Sequence, residues 1–233
     1  MASAPTKNPT ESDARVPVTP DELSQALEVG VYDRSGKATK LGDLVHGKRT
    51  ALIFTRHFWC VNCQAYIRYM SASMPPSNLP PNTQILIIGC GTHHPIDNYA
   101  AASSSKYPVY TDPTQRLHAI FKFKWTLSQG QSGDEVKDYM GDAGGVVYRI
   151  YAGWKYAMSS ISHINDVGPK SLNGGEVVIG ADGKCEFVHR MQNTVDHAHV
   201  KELAGVLGAR FDEGMKEEGG ACGEACGVEP GKA

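Results

Sequence analysis

The chain has 233 residues, 41% of them hydrophobic and 21% charged, with a formal net charge of −2. That length suits one well-buried domain with tails, and the composition is that of an ordinary soluble globular protein. The near-neutral balance argues against nucleic acid or an anionic membrane as partner, and no run approaches the roughly 18 apolar residues of a membrane span.

No signal-peptide core lies in the stretch up to Pro17, so a cytoplasmic location is expected. In a reducing compartment, six cysteines point to catalytic or metal-binding thiols and away from a disulfide framework. Residues 1–19 are rich in Ala, Pro, Ser and Thr without periodicity and read as a flexible tail.

A helix is predicted from Thr19, with Thr19 as N-cap, Pro20 as first helical residue and Glu22 as capping-box partner. A short strand over Glu28–Tyr32 leads into the turn Asp33-Arg34-Ser35-Gly36. Thr50–Thr55 and Gln84–Gly89 are apolar, β-rich runs that suit buried strands. Between them Cys60–Met74 reads as a helix stopped by Pro75-Pro76.

A helix over Asp97–Ser105, a brief strand over Pro108–Tyr110 and a helix over Pro113–Phe123 opened by Asp112 follow. Glu176–Gly180 and Cys185–Arg190 form a hairpin about Ala181-Asp182-Gly183, and Asp196 is expected to cap a helix reaching about Leu207. This order of elements is the thioredoxin-like α/β arrangement, a single domain over residues 20–210. The Gly-rich stretch 125–172 reads as a helix-containing insertion before the C-terminal hairpin. Its Tyr148, Tyr151, Trp154 and Tyr156 are at loosely helical spacing and are expected in a core. Residues 211–233 read as a flexible Gly- and Glu-rich tail that holds Cys222 and Cys226.

The chemistry centres on Trp59-Cys60-Val61-Asn62-Cys63, between a buried strand and a helix. A thiol at a helix N-terminus faces unpaired N–H groups and the positive end of the dipole, which favour thiolate. Arg56 and His57 are placed to add positive charge; the plainer reading of Arg56 is a pair with a nearby carboxylate. Cys63, three residues on, lies on the same helix face, within reach of an oxidised Cys60. The same spacing also serves a zinc half-site or two inert core thiols.

Cys90, directly after the second strand, belongs at the same sheet edge as Cys60, with His93 and His94 beside it as general acid/base candidates; a small buried thiol and a solvent-facing loop are the plainer readings. Trp59 would shield the sulfur or wall a substrate site. His189, Arg190, Asp196 and His197 gather about a strand end and a helix start. Gly89-Cys90-Gly91 lacks the rest of a dinucleotide fingerprint, so no nicotinamide or flavin cofactor is expected.

Phe54–Ile67 (F-T-R-H-F-W-C-V-N-C-Q-A-Y-I) resembles the R-x-F-x-C-x-x-C segment of the peroxiredoxin-like 2 proteins, a branch of the alkyl hydroperoxide reductase/thiol-specific antioxidant superfamily. Ile87–Ile96, Val109–Pro113, Gly174–Gly180 and Phe187–His197 extend the resemblance over roughly residues 28–208. It implies a peroxiredoxin-like fold, Cys60 as attacking thiol and Cys63 as its resolving partner. The implied substrate is a peroxide, endoperoxide or disulfide, with an external thiol reductant of thioredoxin or glutathione type and a homodimer as one assembly. His57 stands where the superfamily's peroxidases generally carry Thr, and no proline directly precedes the Glu176 strand; Pro169 is the nearest. A specialised substrate under the 125–172 insertion follows from those departures. The competing readings are an enzyme tailoring a small organic molecule and a zinc-binding or redox-sensing module.

Overall fold

The computed structural model describes residues 14–130, 137–141 and 164–213. Its elements are α1 (Pro20–Leu27), β1 (Gly30–Tyr32), β2 (Ala38–Lys40), α2 (Leu41–Val45), β3 (Arg49–Phe54), α3 (Val61–Ser73), β4 (Thr83–Gly89), α4 (Ile96–Ala102), β5 (Val109–Thr111), α5 (Arg116–Ile120), β6 (Gly175–Ile179), β7 (Cys185–Arg190) and α6 (Val200–Leu207). The sheet runs β2-β1-β5-β4-β3-β6-β7. Strands β3, β4 and β5 are parallel, and β6 joins β3 in the antiparallel sense.

The central strands carry apolar residues on both faces, as strands covered by helices on each side must. Ala51, Ile53, Ile85 and Ile87 point into one core with Tyr66, Met70 and Leu203 from α3 and α6. Leu52, Phe54, Leu86 and Ile88 point into the other, with Leu23 and Leu117 from α1 and α5. Alternation along each strand thus divides one apolar run between two cores.

The capping box at Thr19 and Glu22 is present with both hydrogen bonds. The strands β3, β4, β6 and β7 lie where the apolar runs placed them, each within a residue or so of its predicted bounds. Asp112 accepts from the Leu117 N–H at 2.8 Å, although helix α5 itself covers only Arg116–Ile120. The hairpin strand β2 and helix α2 were not anticipated; at three and five residues they are too short to show a period.

Asp196 is not the N-cap of the last helix. Its carboxylate accepts from Gln192 N–H at 2.9 Å and pairs with Lys137 at 3.0 Å, so it braces the preceding loop. The helix begins after His199, and its free N–H at Lys201 is taken by Asp138 from a distant 3₁₀ turn, at 3.1 Å. The edges of the predicted tails are also structured. Ala14 O accepts the Arg190 N–H at 3.0 Å, Val18 is buried, and Asp212 N–H reaches Ser73 O at 2.8 Å. Tyr148, Tyr151, Trp154, Tyr156, Cys222 and Cys226 lie outside the described residues, as does most of the 125–172 stretch.

Candidate active site

The chain leaves β3 at Phe54 and reaches helix α3 through Thr55-Arg56-His57-Phe58-Trp59-Cys60. Cys60 is the N-cap residue, in extended conformation, and its sulfur accepts the Cys63 N–H at 3.3 Å. The Cys63 thiol donates to the same sulfur at 2.7 Å, and Arg56 Nη1 approaches it at 3.7 Å. Burial alone would push the Cys60 thiol up. These donors, with the fields of Arg56 and His197, outweigh it and bring the pKa down to about 6. Cys63 moves the other way, well above the usual thiol value, through burial and through the neighbouring Cys60. One buried sulfur is therefore stabilised as thiolate and its neighbour held as thiol.

The Arg56 guanidinium is fixed by neutral acceptors. Nε donates to Asn173 Oδ1 at 3.0 Å and Nη2 to Lys170 O at 2.7 Å. Asn173 is itself tied down, its N–H on Lys124 O at 2.9 Å and its amide on Met191 O at 3.3 Å. It occupies, with Gly174, the approach to β6. A Cβ on Gly174 would stand 1.8 Å from Phe54 O, so only glycine lets this loop close onto the end of β3.

Cys60 lies on the floor of a cavity of about 420 Å³ bordered by Arg56, His57, Trp59, Asn62, Lys170 and Thr194, with Leu127 and Gln129 at its rim. His57 lines it but supplies no charge. Burial, reinforced by the Arg56 and Lys170 cations, lowers its pKa to about 3, so the ring is neutral near pH 7. The predicted contribution of His57 to thiolate stabilisation is corrected accordingly. Trp59 forms a wall, and Lys170 Nζ sits 5.4 Å above its ring centroid.

Cys90, His93 and His94 do not border this cavity. Cys90 is buried beneath it and donates to Arg56 O at 2.8 Å, its pKa pushed up to about 12 by burial and then by Asp112. The two histidine rings face each other at 4.2 Å, His94 exposed and 3.8 Å from Asp166. Among the described residues no group of three or more Cys, His, Asp or Glu side chains comes together as a metal would require.

Lys170, Asn173, Asn62 and Thr194 were not singled out from the sequence. Nor was Glu176, wholly buried in an apolar strand, whose carboxylate meets His197 Nδ1 at 2.6 Å and the Ala198 N–H at 3.1 Å. The His197 ring stacks on Tyr66, one helical turn beyond Cys63, at 4.3 Å. A carboxylate inside G-G-E-V-V-I-G is the signal that was available, since a charge there needs a buried partner.

The AhpC/TSA antioxidant enzyme family model matches residues 72–193, just over half of the chain. The chain belongs to the AhpC/TSA antioxidant enzyme family. The match begins beyond Cys60 and Cys63, so family membership stands apart from those two residues. Among this family member's relatives, peroxiredoxin-like 2C of Bos taurus is 24% identical over 187 residues, covering 78% of each chain. The Mus musculus protein of the same name is 23% identical over 222 residues, covering 90% of this chain and 94% of its own. Peroxiredoxin Q of Xanthomonas campestris superimposes with a TM-score of 0.51 at 12% identity, covering 84% of this chain and 97% of its own. That likeness bears on the fold, which is the thioredoxin-like arrangement of peroxiredoxins. No helix among the described residues is long and apolar enough to cross a membrane.

Proposed function

We propose that this chain is a thiol-dependent oxidoreductase that reduces a peroxide, with Cys60 as nucleophile and Cys63 as resolving thiol. The observation that carries the reading is the pair of sulfurs 2.7 Å apart at the start of α3, one favoured as thiolate and the other as thiol. The Cys60 thiolate attacks the O–O bond of a hydroperoxide. A new S–O bond forms, the O–O bond breaks, and the alkoxide leaves with a proton as the alcohol, so Cys60 becomes a sulfenic acid. Cys63 then attacks that sulfur, loses its proton to the departing hydroxide, and water leaves as the disulfide closes. Two thiols of an external reductant restore the pair and are themselves oxidised to a disulfide.

Arg56, within reach of the sulfur and anchored by Asn173, both stabilises thiolate and offers donors to the peroxide oxygens. The neutral His57 ring cannot reproduce the hydroxyl of the Thr usual at that position; its buried Nδ1 has no hydrogen-bond partner among the described residues. Mass mapping after one equivalent of hydroperoxide tests the reading. A Cys60–Cys63 disulfide in the wild type and a sulfenic acid on Cys60 in Cys63→Ser are expected. First oxidation at any other cysteine, or a pair that hydroperoxide leaves as two thiols but a small disulfide oxidises rapidly, would overturn the peroxide assignment; the second result would reassign the substrate to disulfides.

A further inference from the structure

The cavity above Cys60 carries an electrostatic imbalance that thiol chemistry alone does not use. Its described lining includes two basic side chains, Arg56 and Lys170, and no carboxylate. Arg56 is answered by the Cys60 sulfur, an amide and a carbonyl. When Cys60 is thiolate, that charge is matched. Lys170 is left over: its ammonium has no ion-pair partner among the described residues and makes only the contact over Trp59. Lys137, by contrast, is held by Asp196 at 3.0 Å. In a chain of net charge −2 the surplus of positive charge at this mouth is local and not a reflection of composition.

The remaining lining describes what such a charge would hold. Trp59 and Leu127 give apolar walls, and Asn62 and Gln129 add amides. A volume of about 420 Å³ falls within the roughly 300–1,000 Å³ of small-molecule sites. The Lys170 field also reaches the cavity wall, where it contributes to the neutrality of His57.

We infer that Lys170, seated over Trp59, is a specificity-determining residue that binds a carboxylate of the substrate and directs its scissile bond to Cys60. The preferred substrate is thus an organic anion with an apolar body. This inference rests on the assignment of Cys60 as the attacking thiol. The carboxylate takes no part in the electron transfer; it contributes binding energy and orientation. A hydroperoxide and a disulfide bearing a carboxylate share this chemistry, and the experiment separates them.

The test compares matched pairs on the full chain: cumene hydroperoxide with its para-carboxy derivative, and bis(2-hydroxyethyl) disulfide with 3,3′-dithiodipropionate. In one pair, wild type is expected to favour the carboxylate at least fivefold in kcat/KM, mostly through KM. That pair identifies the source. The preference should be retained in Lys170→Arg, fall to near unity in Lys170→Gln and invert in Lys170→Glu. A preference untouched by Lys170→Glu, or neutral substrates favoured by wild type in both pairs, would overturn the inference while leaving the thiol chemistry intact. If no pair is turned over, the assignment of Cys60 fails. The anion site is then read by calorimetry with the para-carboxy cumyl alcohol. Saturable binding lost in Lys170→Glu supports it, and absence of binding at millimolar concentration overturns it.

Discussion

Strands β3 and β4 run side by side in parallel, and each delivers a cysteine to the same edge of the sheet. Cys60 and Cys90 are both almost fully buried, at 3% and 1% exposure. Burial acts on both in one direction, against the thiolate. Yet Cys60 comes down to about 6 while Cys90 is driven up to about 12. The difference is in what faces each sulfur. Cys60 caps a 13-residue helix and receives hydrogen bonds from an N–H, a thiol and a guanidinium. Cys90 follows its strand into an irregular turn, gives its own proton to Arg56 O and has Asp112 nearby. Depth in the protein does not decide reactivity; the sign of the surrounding partners does.

The comparison is broken most directly by removing each thiol in turn. Cys60→Ser is expected to lower peroxide turnover by roughly a thousandfold or more, as the loss of a nucleophile does. Cys90→Ala is expected to lower it by less than about tenfold, since it removes only a donor to the Arg56 carbonyl and leaves a small void. Steady-state assays with a coupled thiol reductant measure both. Equal losses in the two variants would mean that Cys90 shares the chemistry and that the sulfurs are not as different as their surroundings.

The contrast also shows what a sequence can reveal. Arg56, His57, Trp59, Cys60 and Cys63 are close in the chain, so a strand-to-helix junction brought them together on local grounds alone. The main strands were legible because their apolar runs are long enough to carry a pattern. Lys170, Asn173 and Thr194 come from two other loops, and nothing in their local sequence says that Lys170 and Thr194 border the cavity at Cys60 or that Asn173 anchors Arg56. The start of α6 was misplaced for a similar reason. An Asp four residues before Val200 reads as a local cap signal, but here a carboxylate from a remote 3₁₀ turn does that work and frees Asp196 for Lys137 and His189. Glu176 was hidden by the apolar residues around it, and its partner His197 is 21 positions away. Contacts set by tertiary closure were the part the sequence could not display.

A smaller effect isolates the guanidinium. In Arg56→Gln the Cys60 sulfur keeps the Cys63 N–H and thiol donors but loses the nearest full charge, so its pKa rises toward the usual value. Starting from about 6, the site is mostly thiolate at pH 7. Each unit by which the variant's pKa passes 7 costs about tenfold in thiolate at that pH, partly offset by the greater nucleophilicity of a more basic sulfur. The rate of alkylation by iodoacetamide against pH reads this directly. The midpoint should shift upward in Arg56→Gln and by a lesser amount in Asn173→Ala, where the guanidinium remains but loses its anchor. An unmoved midpoint in Arg56→Gln would assign the low value to the helix terminus and Cys63 alone.

The last way to sharpen the comparison uses stability, where the two thiols should carry opposite signs. A cysteine in the unfolded chain titrates near 8.5. Cys60 in the folded protein titrates lower, at about 6, so between those values the unfolded state binds more protons and stability rises with pH. Its thiolate contribution is complete above the unfolded value and is lost as pH falls through about 6. Cys90 in the folded protein titrates higher, at about 12, so the contribution of its thiol is complete below the unfolded value and is lost as pH rises toward about 12. Urea unfolding of reduced wild type, Cys60→Ser and Cys90→Ala at pH 6, 8.5 and 10 separates them. The advantage of wild type over Cys60→Ser should grow by at least about 1 kcal/mol between pH 6 and 8.5, less than one pKa unit being enough for that. The advantage over Cys90→Ala should shrink between pH 8.5 and 10. Parallel curves for all three proteins would show that neither sulfur changes its proton affinity on folding, and the distinction between the two strand ends would rest on geometry alone.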